Sequence, residues 1–169
     1  MRRWISKASV GVTAVVLGLA AWAGTGLAQT ALVTGGRNSN FGRRSLSRNF
    51  MPDPLTVAVV SGGQLDASAL NLGTDCRGFV TREPDFILDY NPAGSFLRLY
   101  FVGNGDTTLL VHDPRGRWHC NDDSYGGIHP TVDLQGPAAG RYDVWVGSYR
   151  AGENVRGTLH VTEMRTRHP

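Results

Sequence analysis

The stretch from Gly105 to Tyr149 decides the fold of this protein; it reads GDTTLLVHDPRGRWHCNDDSYGGIHPTVDLQGPAAGRYDVWVGSY. It contains several short apolar runs, and each run ends after a few residues at Gly, Pro, Asn or Asp. Consecutive antiparallel strands joined by tight turns have this pattern. The stretch therefore predicts an all-β fold in which antiparallel sheets pack face to face.

The same pattern continues on both sides of this stretch. Leu97, Leu99 and Phe101 alternate with Arg98 and Tyr100, so one face of this strand is apolar. A strand of this kind buries its apolar face against a second sheet. No window in the chain after residue 28 shows a helical stripe. We expect an antiparallel β-sandwich, jelly-roll-like, with about eight or nine strands. These are predicted over 55–60, 78–82, 85–90, 96–102, 107–112, 117–120, 131–134, 141–149 and 157–163.

Residues 1–28 have the features of a secretory signal peptide. Arg2, Arg3 and Lys7 precede an apolar run rich in small residues, and the small residues Gly26 and Ala28 predict cleavage before Gln29. The run is short for a membrane span, and the paired arginines leave the export route open between the general and the twin-arginine pathways. We expect a secreted or periplasmic protein with no membrane span after cleavage.

Removal of this leader changes the charge of the chain. The full sequence has 17 basic and 14 acidic residues, and loss of the three basic residues of the leader leaves equal numbers of each. A neutral exported chain argues against a nucleic-acid partner. Residues 29–49 contain Arg37, Arg43, Arg44 and Arg48, no acid and no periodicity, which predicts a flexible basic arm. Tethering of the protein to anionic envelope polymers by this arm is one hypothesis.

The rest of the chain is expected to form one domain over residues 50–164 with a tail at 165–169. It contains two cysteines, Cys76 and Cys120. In an oxidising compartment such a pair most simply forms a disulfide, which we expect to seal the two layers of the sandwich. On the chain-entropy model a loop of this length stabilises the fold by about 4 kcal/mol. A zinc site would require more soft ligands.

Several short motifs occur in a fixed order in this domain: Asp106-Thr107, Asp113 with Gly116, Asn121-Asp122-Asp123, Pro137 with Gly140, Tyr142, and Val146-Gly147-Ser148-Tyr149. In this order they resemble the bacterial pre-peptidase C-terminal (PPC) domain family. The resemblance covers about residues 53–163 and implies a jelly-roll β-sandwich. Such domains usually accompany secreted peptidases and aid secretion, anchoring or substrate contact, and some of them bind calcium near acidic loops. We expect a stand-alone exported member, for which any peptidase label would come from the usual neighbours of the domain.

Acidic and amide side chains form a candidate calcium site. Asn121, Asp122 and Asp123 lie in one turn, and Asp106 and Asp113 flank a predicted strand next to it. Adjacent carboxylates repel each other unless a cation or hydrogen-bond donors lie between them, and hard oxygen ligands suit calcium. In the alternative interpretation, Asn121 and Asp122 only cap a turn through backbone hydrogen bonds.

Aromatic side chains form a candidate binding surface. Trp118, Tyr125, Trp145 and Tyr149 lie on or beside positions that alternate away from the Val and Leu face. Aromatic rings with a polar tip suit the recognition of sugars and peptides. Packing of the same residues in the core or at its rim is the alternative.

Catalytic motifs are incomplete. Ser61 lacks the Gly-Asp that precedes the serine of trypsin-like proteases, and the sequence around Ser148 lacks the second Gly of GxSxG. Scattered acids leave open an unassigned carboxylate pair of a glycosidase. His112 and His119 on successive strands, with Asp113, would make a two-histidine metal site, and ordinary strand histidines are the alternative.

The sequence thus predicts a non-catalytic exported binding module of the PPC type. Its expected partner is an envelope or extracellular protein, a peptide or a polysaccharide, and calcium is the one candidate cofactor. The alternative is a small secreted hydrolase, either a peptidase or a glycosidase, with an unrecognised site.

Overall fold

The computed structural model describes residues 31–169. The predicted signal peptide and the first residues of the predicted arm lie outside the described residues. Within residues 31–169, no helix has the length and apolar character needed to cross a membrane.

The described residues form β-strands and one short 3-10 helix at Ala67–Leu70, which confirms the predicted all-β sandwich. All the predicted strands are present. Two further strands, the first and the third, were not predicted, because they are four and two residues long and show no alternation. The strands are β1 (Arg43–Leu46), β2 (Leu55–Val60), β3 (Leu65–Asp66), β4 (Phe79–Val80), β5 (Phe86–Tyr90), β6 (Phe96–Gly103), β7 (Thr107–His112), β8 (Trp118–Asn121), β9 (Thr131–Gln135), β10 (Gly140–Ser148) and β11 (Arg156–Thr162).

The strands are arranged in two sheets. Sheet A has the order β1-β5-β10-β4-β3, and β7 pairs with β10 and with β8. Sheet B has the order β2-β11-β6-β9. The long strand β10 is central in sheet A, where Tyr142 lies opposite Leu88 of β5 and Val144 lies opposite Val111 of β7. β1 runs parallel to β5, whereas β10 is antiparallel to both of its long neighbours.

The main core lies between the two sheets and follows the predicted alternation. Sheet B contributes side chains that are completely buried, among them Leu99, Phe101 and Leu159. Sheet A contributes Val144 and Val146 from β10. Full burial of a large apolar side chain contributes about 1.5–3 kcal/mol, so this layer is the main source of stability.

A second, smaller core covers the outer face of sheet A. Leu110 and Trp145 are fully buried there, although both point away from the main core. The covering residues belong to segments 31–34 and 65–78, which contribute Leu32, Leu65 and Leu72. Sheet A is therefore covered on both faces, like the middle layer of a three-layer arrangement.

A disulfide joins Cys76 and Cys120, with the Cα atoms 5.0 Å apart, which confirms the predicted pairing. Cys76 lies in the covering segment and Cys120 lies on β8 of sheet A. The bridge therefore fastens the covering segment to sheet A. The expectation that it seals the two sheets together is wrong, because both of its ends lie on the sheet A side.

Residues 31–49 do not form a flexible arm, which corrects the prediction for this segment. The backbone N–H groups of Val33 and Phe41 donate to the carbonyls of Arg82 and Asp85, at 3.0 and 2.8 Å. Arg43 forms an ion pair with Asp89. The segment adds an edge strand to sheet A, and its few apolar residues are too widely spaced to produce a periodic signal. An arm held in this way cannot reach out as a flexible tether.

The C-terminal tail is also held against the body. The Nη1 atom of Arg98 donates to the carbonyl oxygens of Arg165 and Arg167, both at 2.9 Å. The guanidinium of Arg98 also contacts Asp133 at 2.6 Å. One buried arginine of β6 therefore fixes the tail, which sequence periodicity alone did not indicate.

Candidate functional site

An open groove lies where the covering segment meets the end of β10. Its volume is about 480 Å³, within the range of small-ligand sites. At one end, Asp66 caps the 3-10 helix by accepting from the Ser68 N–H at 2.9 Å, and Asn71 ends that helix with a φ of 54°. The groove is lined by Asp66, Ser68, Gly73, Thr74, Cys76, Arg77, Gly78, Phe79 and Tyr149.

Two glycines allow the covering segment to approach sheet A closely. Gly78 has a φ of +88°, and a Cβ at this position would lie 2.6 Å from the Oγ1 atom of Thr108. A Cβ on Gly147 would lie 2.4 Å from the same oxygen. Both distances are too short for a side chain, so any residue larger than glycine would clash with Thr108 at either position.

The walls of the groove present the ring of Tyr149, the guanidinium of Arg77 and the carboxylate of Asp66. Tyr149 is 42 % exposed, and its N–H donates to the Asp106 carbonyl at 3.1 Å. The Nη1 atom of Arg77 lies 3.6 Å from Oδ2 of Asp122. An ion pair this exposed contributes less than about 1 kcal/mol. A ligand carboxylate can therefore replace Asp122 as the partner of Arg77 at little cost.

An acidic edge adjoins this groove. Burial raises the pKa of Asp106, and the negative charges of Asp123 and Asp122 raise it further. The Oδ1 atom of Asp106 is buried and has no hydrogen-bond partner. These three carboxylates of the predicted calcium set therefore interact electrostatically.

Asp113 does not lie with them, although it belongs to the predicted calcium set. Asp106 and Asp113 lie at opposite ends of β7, and a strand of this length spans about 20 Å. Asp113 accepts from the backbone N–H groups of Arg115 and Arg117, at 2.8 and 3.0 Å, and from the side chains of Arg117 and His119. Its oxygens are therefore already engaged.

Asn121 has the role of a turn residue. Its Oδ1 atom accepts from the Ser124 hydroxyl at 2.7 Å and from the Thr131 N–H at 2.8 Å. Its Nδ2 atom donates to the Asp123 carbonyl at 3.0 Å. These contacts agree with the alternative interpretation, in which Asn121 stabilises a turn.

The predicted set therefore does not fit a calcium site as a whole. Within residues 31–169, no three or more His, Cys, Asp or Glu side chains are grouped closely enough to hold a metal ion. Asp113 is distant, and the side-chain oxygen of Asn121 is already used. His112 and His119 do not form a pair either: His112 packs on the ring of Trp118, whereas His119 contacts Asp113.

The predicted aromatic surface is divided by the fold. Trp145 is completely buried in the second core, so its assignment to a binding surface is wrong. The covering segments that bury it lie far away in sequence, and local alternation could not indicate them. Trp118 is partly buried and packs against Trp145, with ring centroids 5.3 Å apart. Tyr125 is 57 % exposed and stacks on His168. Of the four, only Tyr149 lines the groove.

Ser61 is a buried structural residue. It is 1 % exposed, and its hydroxyl lies 2.7 Å from the Ser148 hydroxyl and accepts from the Val155 N–H at 2.9 Å. None of the hydrogen bonds described for Ser61 involves a histidine or a carboxylate. The contacts of a serine nucleophile with a general base are therefore not formed at this position.

The groove residues Asp66 and Arg77 were not predicted from the sequence. Each is a common surface residue that belongs to no sequence motif. The disulfide and the strand β4 that follows it bring both residues to the groove beside Tyr149. The adjacent cysteine was the one available signal, because a disulfide often holds an exposed loop in place.

No family model matches this chain, and no curated protein sequence matches it. Among solved structures, it is similar to PliG of Aeromonas hydrophila, a periplasmic lysozyme inhibitor of g-type lysozyme. The TM-score is 0.41 with 16% identity, and the match covers 72% of this chain and 96% of that chain. It is also similar to the pre-peptidase C-terminal domain of a collagenase from Bacillus anthracis, with a TM-score of 0.41 and 14% identity over 75% of this chain and 97% of that chain.

Proposed function

We propose that this protein is an exported, non-catalytic binding module that holds its ligand in the groove between Arg77 and Tyr149. The observation that carries this proposal is the arrangement of an exposed aromatic ring, a weakly paired guanidinium and the Asp66 carboxylate around one groove of about 480 Å³. The ligand is a segment of an extracellular or envelope polysaccharide, peptide or protein.

The side chains favour a ligand with a flat apolar face next to an anionic group. Tyr149 supplies a ring on which a sugar or a peptide side chain can pack. Arg77 can donate two parallel hydrogen bonds to a carboxylate. Ser68 and Thr74 add neutral hydroxyl groups along the groove. An acidic polysaccharide or an acidic peptide has this combination of features.

The groove is held in place before a ligand binds. The disulfide anchors the chain one residue before Arg77, and the backbone N–H of Tyr149 is bonded to Asp106. A site that is already ordered loses less conformational entropy on binding. This rigidity supports a binding role for the groove.

The contacts also favour binding over hydrolysis. Ser61 is buried against Ser148. Asp66, in the groove, accepts the hydrogen bond that caps the 3-10 helix. Asp122, which lies outside the groove, pairs with Arg77. Both carboxylates are therefore already engaged in structural contacts. Hydrolysis of casein, generic esters and polysaccharides by the purified protein, lost on substitution of Asp66, Asp122 or Ser61, would support the hydrolase instead.

The binding experiment compares single variants of the purified protein. The probes are soluble peptidoglycan fragments, acidic oligosaccharides and acidic peptides, titrated by calorimetry and by NMR. We expect one class to bind, and Tyr149→Ala and Arg77→Ala to weaken it about tenfold or more, as loss of a central aromatic or arginine contact does. Tyr125→Ala is the matched control, because Tyr125 is more exposed than Tyr149 and is not among the residues that line the groove.

A macromolecular partner can be sought with the same variants. The purified protein and its Tyr149→Ala variant serve as paired baits in an extract of envelope proteins. A partner retained by the original protein and by Tyr125→Ala, but lost with Tyr149→Ala, supports the groove as the binding site. Equal retention by all three would contradict it.

Calcium binding stays a separate prediction. Asp106, Asp122 and Asp123 are the members of the predicted set whose charges still act on one another, and a cation would relieve their repulsion. They are not grouped closely enough to form a metal site by themselves. A calcium titration that raises the melting temperature of the protein, but not that of Asp106→Asn, would support it. An unchanged melting temperature at millimolar calcium would remove calcium from the proposal.

A further inference from the structure

Strand β2 forms one edge of sheet B and lacks the charged residues and prolines that usually protect an edge strand. Its sequence is LTVAVV, with no charged residue and no proline between Leu55 and Val60. In sheet B it pairs with β11 on one side. An open edge of this kind presents unpaired backbone groups to any other strand.

The hydrogen-bond register shows which groups of β2 point outward. Ser61 donates its backbone N–H to the carbonyl of Val155 at 2.9 Å, and these residues continue the register in which Val60 lies opposite Arg156. Hydrogen-bonded and non-hydrogen-bonded pairs alternate along an antiparallel ladder. Leu55, Val57 and Val59 therefore bond to β11. The N–H and C=O groups of Thr56, Ala58 and Val60 point away from the sheet.

These outward groups are accessible. Thr56 and Ala58 are exposed. Within residues 31–169, no backbone hydrogen bond from a loop or a turn is made to Thr56, Ala58 or Val60. The edge is thus ready to accept a further strand.

The other edge strands carry features that oppose pairing. β1 is four residues long and has two exposed arginines, and β3 is only two residues long. On β8, Cys120 is linked to the covering segment. On β9, the Asn121 side chain occupies the N–H of Thr131, and Asp133 adds an exposed charge. Short length, charge and covering are the usual ways in which proteins block edge strands. β2 has none of them along its length.

We propose that β2 pairs antiparallel with β2 of a second copy of this chain, across a two-fold axis through Ala58. In this register Ala58 lies opposite its own copy and Thr56 lies opposite Val60. The three outward residues of each copy then exchange about six backbone hydrogen bonds. The two four-stranded B sheets become one continuous sheet.

The neutrality of the strand favours a second copy over a foreign peptide. Identical strands repel each other when like charges meet across the axis, and β2 has no charge. At the centre of this register the facing side chains are two alanines, which avoid a steric clash. Specific capture of a foreign strand relies instead on pockets for alternate side chains. The small side chains of Thr56 and Ala58 on the solvent face do not create such pockets.

The assembly stops at two copies. A two-fold interface uses the same strand from both partners, so pairing consumes the free edge of each copy. The opposite edge of sheet B, β9, is blocked by Asn121 and Asp133. A closed dimer therefore forms rather than a growing fibre, and the groove at Tyr149 takes no part in it.

Sedimentation equilibrium of the purified protein over the micromolar range tests the dimer. We expect a monomer–dimer equilibrium that Ala58→Lys weakens about tenfold or more, because two like charges then face each other across the axis. Ser45→Lys is the matched control, since Ser45 is exposed on the edge strand β1 and gains the same charge. A monomer at all concentrations, or equal weakening by both variants, overturns the proposal.

A cysteine at the axis tests the register independently. Both native cysteines are in the disulfide, so the new thiol of Ala58→Cys is free. Directly opposite residues in a hydrogen-bonded pair have Cα atoms about 5.5 Å apart, a distance that a disulfide can span. Mild oxidation should give a covalent dimer on a non-reducing gel with Ala58→Cys and not with Ser45→Cys. Failure of Ala58→Cys to cross-link, with unchanged melting temperature, contradicts this register.

Discussion

The Oδ2 atom of Asp113 lies 3.0 Å from the Nε2 atom of His119, across the turn between β7 and β8. Asp113 is 3 % exposed, and the same carboxylate closes the turn by accepting from the backbone N–H groups of Arg115 and Arg117. One side chain therefore holds together the hairpin that carries both His119 and, one residue later, the disulfide cysteine.

Asp113→Asn should destabilise the fold by about 2–4 kcal/mol, because it removes a buried charge that pairs with Arg117 and accepts several hydrogen bonds. Burial opposes ionisation of Asp113, but hydrogen bonds from His119 and Arg117 outweigh it and lower the pKa of this carboxyl. A lowered folded-state pKa stabilises the fold above the unfolded pKa, and this contribution is lost as the pH falls through the folded-state value.

Urea unfolding at pH 7 and at steps below pH 4 measures this effect. The original protein should lose stability with acidification more steeply than Asp113→Asn. Asp123→Asn serves as the control, because Asp123 is exposed and lies in a neighbouring turn. Parallel acid profiles for the original protein and Asp113→Asn would show that the network is not formed as described.

Asp85 should make the protein less stable as the pH rises towards neutrality. Burial raises its pKa to about 7, against hydrogen bonds from Asn40 and from the Val146 N–H. A raised folded-state pKa means that the folded protein keeps a proton that the unfolded chain releases above pH 4. Stability therefore falls from about pH 4 to about pH 7. In Asp85→Asn this fall should be smaller, as measured by urea unfolding across that range, with Asp75→Asn as an exposed control.

Removal of the disulfide in Cys76→Ser with Cys120→Ser should destabilise the fold by about 3–4 kcal/mol. The bridge fastens the segment that covers Trp145, so partial loosening of this segment should expose the indole before the main core unfolds. A red shift of tryptophan fluorescence at denaturant concentrations that leave the far-ultraviolet circular dichroism unchanged is the expected signature. If the fluorescence and the circular dichroism changed together, the segment that covers Trp145 would not loosen before the main core unfolds.

Ser61→Ala should destabilise the fold by about 1–3 kcal/mol, because the buried Val155 N–H loses its acceptor. Val155 directly precedes β11, so the connection between β2 and β11 should loosen. Thermal unfolding and amide exchange at Val155 measure the effect, and Ser68→Ala on the exposed 3-10 helix is the control. An unchanged stability would show that Ser61 is not the structural residue that its contacts indicate.

Local patterns in the chain were sufficient to predict the strands and the sandwich. The alternation of Leu97, Leu99 and Phe101 needs only the two-residue repeat of an extended backbone to place these side chains on one face. The turns could be predicted for a similar reason, since Gly and Pro restrict the backbone locally. The disulfide followed from the number of cysteines and the expected compartment.

The candidate site was predicted only in part. The sequence pointed to Tyr149 and to the acidic turn, because aromatic and acidic residues stand out at the ends of strands. Asp66 and Arg77 were not found, since neither has a distinctive neighbourhood in the sequence. The alternation correctly placed Trp145 on the face of β10 that points away from the main core. Its assignment to a binding surface was wrong because segments far away in the sequence cover that face.

The sequence by itself determined the extended segments, their apolar faces and the pair of cysteines that would meet. The tertiary structure alone decided what lies on the outer side of sheet A and which edge strand stays open. The physical reason is the distance along the chain over which each effect acts. Alternation and turn formation depend on residues that are neighbours in the sequence. The covering of a face or an edge depends on contacts between residues far apart in the chain, such as Leu32 with the second core and Asn121 with Thr131.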